Sequence, residues 1–139
     1  MINKSIFKAY DVRGLYPKDV NVESVDAVIS ALVHIWEPGK IVIGHDGRHG
    51  GTELSEAAAA KAVEYGKAIG KEFEVIPVGL STTPMFYFLV NHLQASGGAM
   101  ITASHNPKEY NGVKAVKANA EQISGTELLK ILNENEPTV

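Results

Sequence analysis

Apolar and polar positions alternate along the chain with two periods, and the switches between them mark out its elements. Residues 6–10 alternate apolar and polar, which predicts a short first strand. After a turn-prone stretch at 14–19, Val25, Val28, Ile29, Leu32, Val33 and Trp36 recur at helical spacing. Asn21 is placed to cap that helix and Pro38-Gly39 to end it. The β-branched run Ile41-Val42-Ile43 predicts a strand over 40–44, followed by a polar loop over 45–51. Thr52 is the predicted cap of an alanine-rich helix reaching about residue 70, with Glu53 and Glu56 near its positive end. A strand is predicted over 73–78. Thr83-Pro84 reads as a cap followed by a proline at the first helical position, where a missing N–H costs nothing, and it opens a helix over 85–93.

Gly97-Gly98 leads into a predicted strand over 99–102, a polar loop occupies 104–111, and another strand spans 113–117 after a turn at Asn111-Gly112. Ser124-x-x-Glu127 matches a capping box ahead of Leu128, Leu129, Ile131 and Leu132, which predict a last helix. Strands alternating with helices imply an α/β fold, a three-layer α/β/α sandwich around a mixed, mostly parallel sheet. Residues 1–139 are expected to form a single domain. The polar tail 133–139 reads as the start of an interdomain linker, which makes the chain the expected N-terminal part of a longer multidomain protein.

Composition narrows the function classes. With 139 residues, 45% of them hydrophobic, the chain is long enough to bury roughly two-thirds of its unfolded surface without covalent staples. The absence of cysteine excludes a disulfide framework, a thiolate nucleophile and thiolate zinc sites, and fits a cytoplasmic setting. Thirteen basic against 16 acidic residues leave a net charge of −3, with no polybasic run, so nucleic acid is not an expected partner. No apolar stretch approaches a membrane span, and residues 1–5 lack the apolar run of a signal peptide, so no membrane association is expected.

In open α/β sheets ligands gather beyond the carboxyl ends of the strands, and two polar loops follow strands here. The first is Gly44-His45-Asp46-Gly47-Arg48. The second, Thr102-Ala103-Ser104-His105-Asn106-Pro107, carries a hydroxyl, an imidazole and an amide in consecutive positions. Ser104 is a candidate nucleophile or phosphate carrier. Its neighbour His105 is badly placed to be its base, since consecutive side chains point apart. Thr102 and Asn106 also stand where the nucleophile elbow of the serine hydrolases has glycines. Read on their own, Ser104-His105-Asn106-Pro107 are first of all a turn bonding its own backbone. Lys114, ten positions on, is either a solvated strand end or, beside a phosphate, a charge clamp or general base.

Arg13 and Arg48 are the only arginines in the chain, and both follow strands. Each has an aspartate two positions before it, Asp11 and Asp46, which makes a local surface pair one reading and a phosphate fork the other. His45 and His49 flank Asp46 but lack further ligands at metal spacing. His34 and His92 lie beside apolar residues on predicted helices and read as partly buried, and Phe86-Tyr87-Phe88 reads as helix packing.

Taken in order, Phe7-Lys8-Ala9-Tyr10-Asp11-Val12-Arg13-Gly14, Gly44-His45-Asp46-Gly47-Arg48, Thr83-Pro84, Thr102-Ala103-Ser104-His105-Asn106-Pro107 and Tyr110-Asn111-Gly112-Val113-Lys114 resemble the N-terminal domain of the α-D-phosphohexomutases. That superfamily includes phosphoglucomutase/phosphomannomutase and phosphoglucosamine mutase. The resemblance implies that Ser104 is a phosphoserine exchanging phosphoryl groups with a hexose 1- or 6-phosphate through a bisphosphorylated sugar, an intramolecular phosphotransferase reaction. It implies a general acid/base or phosphate-contacting role for Lys114, and an electropositive surrounding from Arg13 with Tyr10 nearby. His105 and Asn106 would shape the loop, with Asn111, Arg48 and Asp46 in the phosphate environment.

It further implies Mg²⁺ on a phosphoserine oxygen of Ser104, a hexose bisphosphate activator, and hexose phosphates as partners together with the remaining domains of the same chain. The other metal ligands would be three aspartates of a second domain; here Asp11, Asp19, Asp26 and Asp46 are scattered, so those ligands are expected outside this chain. Alone, the chain is expected to be inactive. His45 stands where many members have arginine, while Tyr110 points to the glucose/mannose group, with phosphoglucosamine mutase, the same chemistry on another sugar, as the second reading. A non-catalytic phosphosugar-binding module is the reading from another class, and the open-ended tail argues against it.

Overall fold

The structure, a computed structural model, describes residues 2–135 and holds strands and helices in the expected alternation. In chain order these are β1 (Val12–Leu15), α1 (Val22–Ile35), β2 (Gly39–His45), α2 (Gly51–Ala68), β3 (Phe73–Leu80), α3 (Thr83–His92), β4 (Gly97–Ile101), β5 (Tyr110–Lys117), β6 (Glu121–Ile123) and α4 (Gly125–Glu134). The sheet order is β1-β5-β4-β2-β3, with β6 pairing the far half of β5. β2 is parallel to both β3 and β4, whereas β5 is antiparallel to β1, β4 and β6. Five strands therefore share one direction and β5 alone reverses, which makes the sheet mixed and mostly parallel. None of the described helices is long and apolar enough to cross a membrane.

The period-two pattern of the strands divides the core between two helix layers. Ile41 and Ile43 of β2, Ala99 and Ile101 of β4, and Val113 and Ala115 of β5 face α1, α2 and α4. Their alternates Val42, Met100 and Val116 face Phe86 and Val90 of α3. Each large side chain fully buried this way stabilises the fold by roughly 1.5–3 kcal/mol. The second layer holds one helix, α3, and toward β1 it leaves Arg13 and Leu15 partly exposed, each 37%.

Helix ends follow side-chain chemistry. Asn21 caps α1 by accepting from the Ser24 N–H at 3.0 Å, and Ser24 Oγ accepts from the Asn21 N–H at 2.9 Å, closing a capping box. Ser124 caps α4 by accepting from the Glu127 N–H at 3.0 Å. At α3 the cap is Thr82, one residue earlier than expected, and Pro84 falls at the second helical position. At α2 the expected Thr52 cap gives way to Gly50, which enters the helix at φ +85°. That left-handed step is open to glycine without strain.

Three further expectations are corrected. The predicted strand over 6–10 is a 3₁₀ turn, Lys4–Ile6, followed by a tight hairpin in which Phe7 bridges Val12; the strand itself is β1. Ile6 and Phe7 are both buried although adjacent, which an extended strand on one face of the sheet could not achieve. The tail expected to leave the fold at 133 stays helical through Glu134, and residues 136–139 lie outside the described residues. His34 and His92 are exposed, and His92 stacks on the exposed Phe88 with ring centroids 5.2 Å apart.

Two adjacent glycines let both layers close on β4. A Cβ at Gly97 would lie 2.4 Å from Trp36 Nε1, whose N–H donates to the Val116 carbonyl at 2.9 Å. A Cβ at Gly98 would lie 2.5 Å from the Val42 carbonyl oxygen and 2.8 Å from the Phe86 ring. Gly98→Ala is expected to cost about 1–3 kcal/mol through overpacking, read as a lowered urea midpoint at unchanged slope.

Asp26 of α1 meets Lys61 and Glu64 of α2, with its Oδ1 buried and unpaired among the described residues. Burial pushes its carboxyl above the ordinary carboxylate value, against a pull down from Lys61 and with a further push from Glu64. The folded chain therefore holds this proton more tightly than the unfolded chain, and the contribution to stability falls as pH rises from the ordinary value through the raised one. Asp26→Asn is expected to raise the urea midpoint at pH 7, an advantage that shrinks toward zero once acid protonates Asp26 in both states.

Candidate functional site

Parallel pairing brings three strand ends to one edge. His45 at the end of β2 stands in register with Leu80 of β3 and Ile101 of β4. The loops leaving these ends enclose an open cavity of about 650 Å³ lined by Asp46, Leu80, Thr82, Met85, Ser104 and His105, among others. The amino end of α3 opens into it, contributing the partial positive charge of its unpaired N–H groups.

Ser104 is exposed at the rim with φ +54°, a left-handed backbone that costs a non-glycine residue about 1–2 kcal/mol. Arg48 holds the loop in that shape. Its Nη2 donates to the carbonyls of Ser104 (2.7 Å) and Asn106 (2.6 Å), and its Nη1 to those of Pro107 (2.7 Å) and Tyr110 (3.1 Å). A hydrogen bond from a charged donor is worth about 1.5–3 kcal/mol, so any one of these offsets the strain at Ser104. Arg48 Nε lies 3.5 Å from Asp46 Oδ2, and the Arg48 N–H donates to Asp46 Oδ1 at 3.1 Å, so the guanidinium is itself aimed.

The same Asp46 reaches the serine by a second route. Thr102 Oγ1 donates to Asp46 Oδ2 at 2.5 Å and accepts from the Ser104 N–H at 3.0 Å. Asn106 closes the turn by donating from Nδ2 to the Ala103 carbonyl at 2.8 Å. Asn111, fully buried at the head of β5, donates from Nδ2 to the His49 carbonyl at 2.9 Å and so ties the loop holding Arg48 to the sheet. His105 is exposed at the cavity wall.

A second group forms on the α3 side of β1 and β5. Arg13 pairs across from Gly112, and Lys114, two positions on, pairs across from Met100, whose side chain packs in the α3 layer. Asp11 joins the two: its Oδ1 lies 3.1 Å from Arg13 Nε and its Oδ2 3.2 Å from Lys114 Nζ. Tyr10 stands at the hairpin tip, 71% exposed. None of Tyr10, Arg13 and Lys114 lines the cavity beside Ser104.

The predicted residues thus fall into two groups. Ser104, His105, Asn106, Asp46 and Arg48 come together around the loop, with Asn111 beneath it, while Tyr10, Arg13 and Lys114 gather elsewhere on the sheet. Arg48 is a bolt for the loop, its fork spent on carbonyls, and a free phosphate fork it is not. Two contributors escape sequence reading, Thr102 and Asp11. Thr102 follows a strand and offers only a common residue type; Asp11 looks like the partner of nearby Arg13, and its second partner is 103 positions away. Among the described residues no three His, Asp or Glu side chains stand close enough to hold a metal. Asp46 is engaged with Thr102 and Arg48, and the exposed Ser104 at the rim is where a phosphate would offer a hard cation its oxygens.

Comparison with known proteins gives a consistent answer. The family model described as phosphoglucomutase/phosphomannomutase, alpha/beta/alpha domain I, matches residues 4–137. A protein named "Phosphohexose mutases" from Xanthomonas campestris pv. campestris is 42% identical over 118 residues, covering 85% of this chain and 25% of that protein. A phosphomannomutase from Klebsiella pneumoniae is 39% identical over 125 residues, covering 90% of this chain and 76% of its own length. A crystal structure of a phosphoglucomutase/phosphomannomutase family protein from Burkholderia thailandensis superposes with a TM-score of 0.79 at 29% identity, over 96% of this chain and 31% of that one. The chain thus spans about a quarter of the Xanthomonas relative's length.

The clamp has a direct test. Lysine cannot serve four carbonyls as a planar fork does. In Arg48→Lys the amides of Ser104, Asn106 and Tyr110 are expected to exchange hydrogen about tenfold or more faster, the equivalent of losing one charged hydrogen bond. Amides within β2 and β4 should keep their protection. Unchanged exchange in the loop would show that Arg48 does not hold it.

Proposed function

Since the chain belongs to the phosphoglucomutase/phosphomannomutase family, as its α/β/α domain I, we propose that it is the phosphoryl-carrying domain of a phosphohexomutase acting on hexose 1- and 6-phosphates. The observation that carries this reading is Ser104: an exposed hydroxyl on a strained backbone, gripped from behind by Arg48, at the edge of an open cavity. Phosphoryl transfer asks for in-line positioning more than for a strong base, and a hydroxyl fixed on one side and open on the other meets that demand.

In the proposed cycle Ser104 carries a phosphoryl group. A free hydroxyl of the bound hexose phosphate attacks its phosphorus, the bond to Oγ breaks, and the sugar hydroxyl's proton ends on Oγ. The sugar is now a bisphosphate. After it turns over in the site, Ser104 Oγ attacks the other phosphorus, the bond from that phosphorus to the sugar oxygen breaks, the Oγ proton passes to that oxygen, and the sugar departs as its isomer. Lys114 serves as proton carrier or phosphate contact, Arg13 and Tyr10 bind phosphate, and His105 flanks the moving group. Mg²⁺ on the Ser104 phosphate would supply part of the positive charge that the transferring group requires.

The cavity supports the reading that further domains complete the site. Among the described residues its lining carries no lysine or arginine, and Arg48 is committed to the loop. Phosphoryl transfer without dense positive charge is slow. The remaining charge, the metal ligands and the sugar contacts are therefore proposed to come from further domains.

The test is a coupled mutase assay on a protein carrying this chain together with the remaining domains. It uses Mg²⁺, a hexose bisphosphate, and the glucose, mannose and glucosamine phosphates as substrates. Ser104→Ala is expected to lower kcat by at least about three orders of magnitude, and the isolated 139-residue chain is expected to show no turnover. Turnover retained in the variant would remove Ser104 from the reaction. Turnover by the isolated chain would remove the need for other domains.

A further inference from the structure

We infer that Asp11 is a positioning residue whose buried carboxylate yokes Arg13 and Lys114 into one cationic unit. The inference rests on the proposed mutase reading, in which those two cations serve the phosphoryl group. Asp11 is 6% exposed, while the side chains of Lys114 and Arg13 are 18% and 37% exposed. One carboxylate thus sits beneath two cations that still reach solvent, and the trio keeps an excess positive charge on the α3 side of the sheet.

The contacts differ in kind. Lys114 Nζ donates a hydrogen bond to Asp11 Oδ2 at 3.2 Å. Arg13 Nε approaches Oδ1 to 3.1 Å, but neither atom finds an aligned hydrogen-bond partner, so this contact holds by charge alone. Asp11 takes Nε and leaves the terminal nitrogens of Arg13 out of its grip, and those are the pair suited to grasp a phosphate. Placing two long, flexible cations by one fixed anion lowers the conformational freedom each must lose when a phosphate arrives.

Asp11 is itself set from behind. The hairpin of Phe7 and Val12 is closed by the Lys8 N–H donating to the Asp11 carbonyl at 2.8 Å, and Gln122 Nε2 donates to the Tyr10 carbonyl at 3.2 Å. Gly125, at the first turn of α4, leaves the space in which the hairpin rests: a Cβ there would lie 2.3 Å from the Lys8 oxygen and 2.4 Å from the Asp11 oxygen. The anion is therefore anchored by the α4 side of the fold while it acts on the opposite side.

A buried ion pair kept only for stability would behave differently, and a double-mutant cycle on the multidomain enzyme separates the two. Asp11→Asn is expected to lower kcat about 10- to 100-fold, as a misplacement of about an ångström does. In a Lys114→Met background the same change should cost less than about threefold, because its main route is gone. An equal loss in both backgrounds, or wild-type kcat in Asp11→Asn, overturns the proposal. Should Asp11→Asn be unfolded by urea titration, Asp11→Glu, which keeps the charge and shifts it by one methylene, replaces it with the same expectations. Amine labelling gives a second readout that needs no turnover: losing the Asp11 carboxylate should speed acetylation of Lys114 several-fold relative to exposed Lys108. A parent enzyme without turnover would defeat the mutase reading alone, and the labelling result would then decide the yoke.

Discussion

Four carbonyl oxygens on one guanidinium are what the site depends on. Polar loops at strand ends are ordinarily the softest part of an α/β fold, because their backbone groups can exchange partners with water. Arg48 removes that freedom from the Ser104 loop by taking the carbonyls of Ser104, Asn106, Pro107 and Tyr110 together. Asp46 then couples the clamp to the serine's own N–H through Thr102. A left-handed serine is stable only where its surroundings over-determine it, and here two routes from one carboxylate do so.

The reversal of β5 gives the rest of the geometry. Because β2, β3 and β4 are parallel, their carboxyl ends make one edge, and the loops that build the cavity all leave from it. Because β5 runs back, its head, Asn111, lies under that edge, while its middle carries Lys114 toward β1 and Asp11. Three helices cover one face and α3 the other, where Lys114 and Arg13 keep 18% and 37% of their side chains exposed. A partly exposed cationic pair on that face suits the proposed sharing of the site with other domains.

The legible and illegible parts divide by range. Asn21, Ser124 and the alternation of Ile41, Val42 and Ile43 act on neighbours within a turn or a strand, and their roles could be read from the order of residues. The caps at Thr82 and Gly50 were misplaced because backbone geometry, a one-residue shift before Pro84 and a left-handed step, decided them over side-chain preference. Ser104 stood out through a resemblance of motifs, and its loop through its polarity. The part played by Arg48 was hidden, since its carbonyl partners lie 56 to 62 positions away and backbone carbonyls have no signature. Asp11 is hidden for the opposite reason: Arg13, two positions on, already accounts for its charge, and Lys114 lies 103 positions away.

The central claim is that Ser104, and no other hydroxyl, carries the phosphoryl group. The direct measurement is phosphopeptide mapping of the multidomain protein after incubation with a hexose bisphosphate and Mg²⁺. Trypsin releases residues 72–108 as one peptide, whose aliphatic hydroxyls are Ser81, Thr82, Thr83, Ser96, Thr102 and Ser104, so fragmentation must place the group. The account predicts one phosphate on Ser104, lost on transfer to a hexose phosphate. Phosphate on any other hydroxyl of the peptide, Tyr87 included, or none on the peptide, would contradict it.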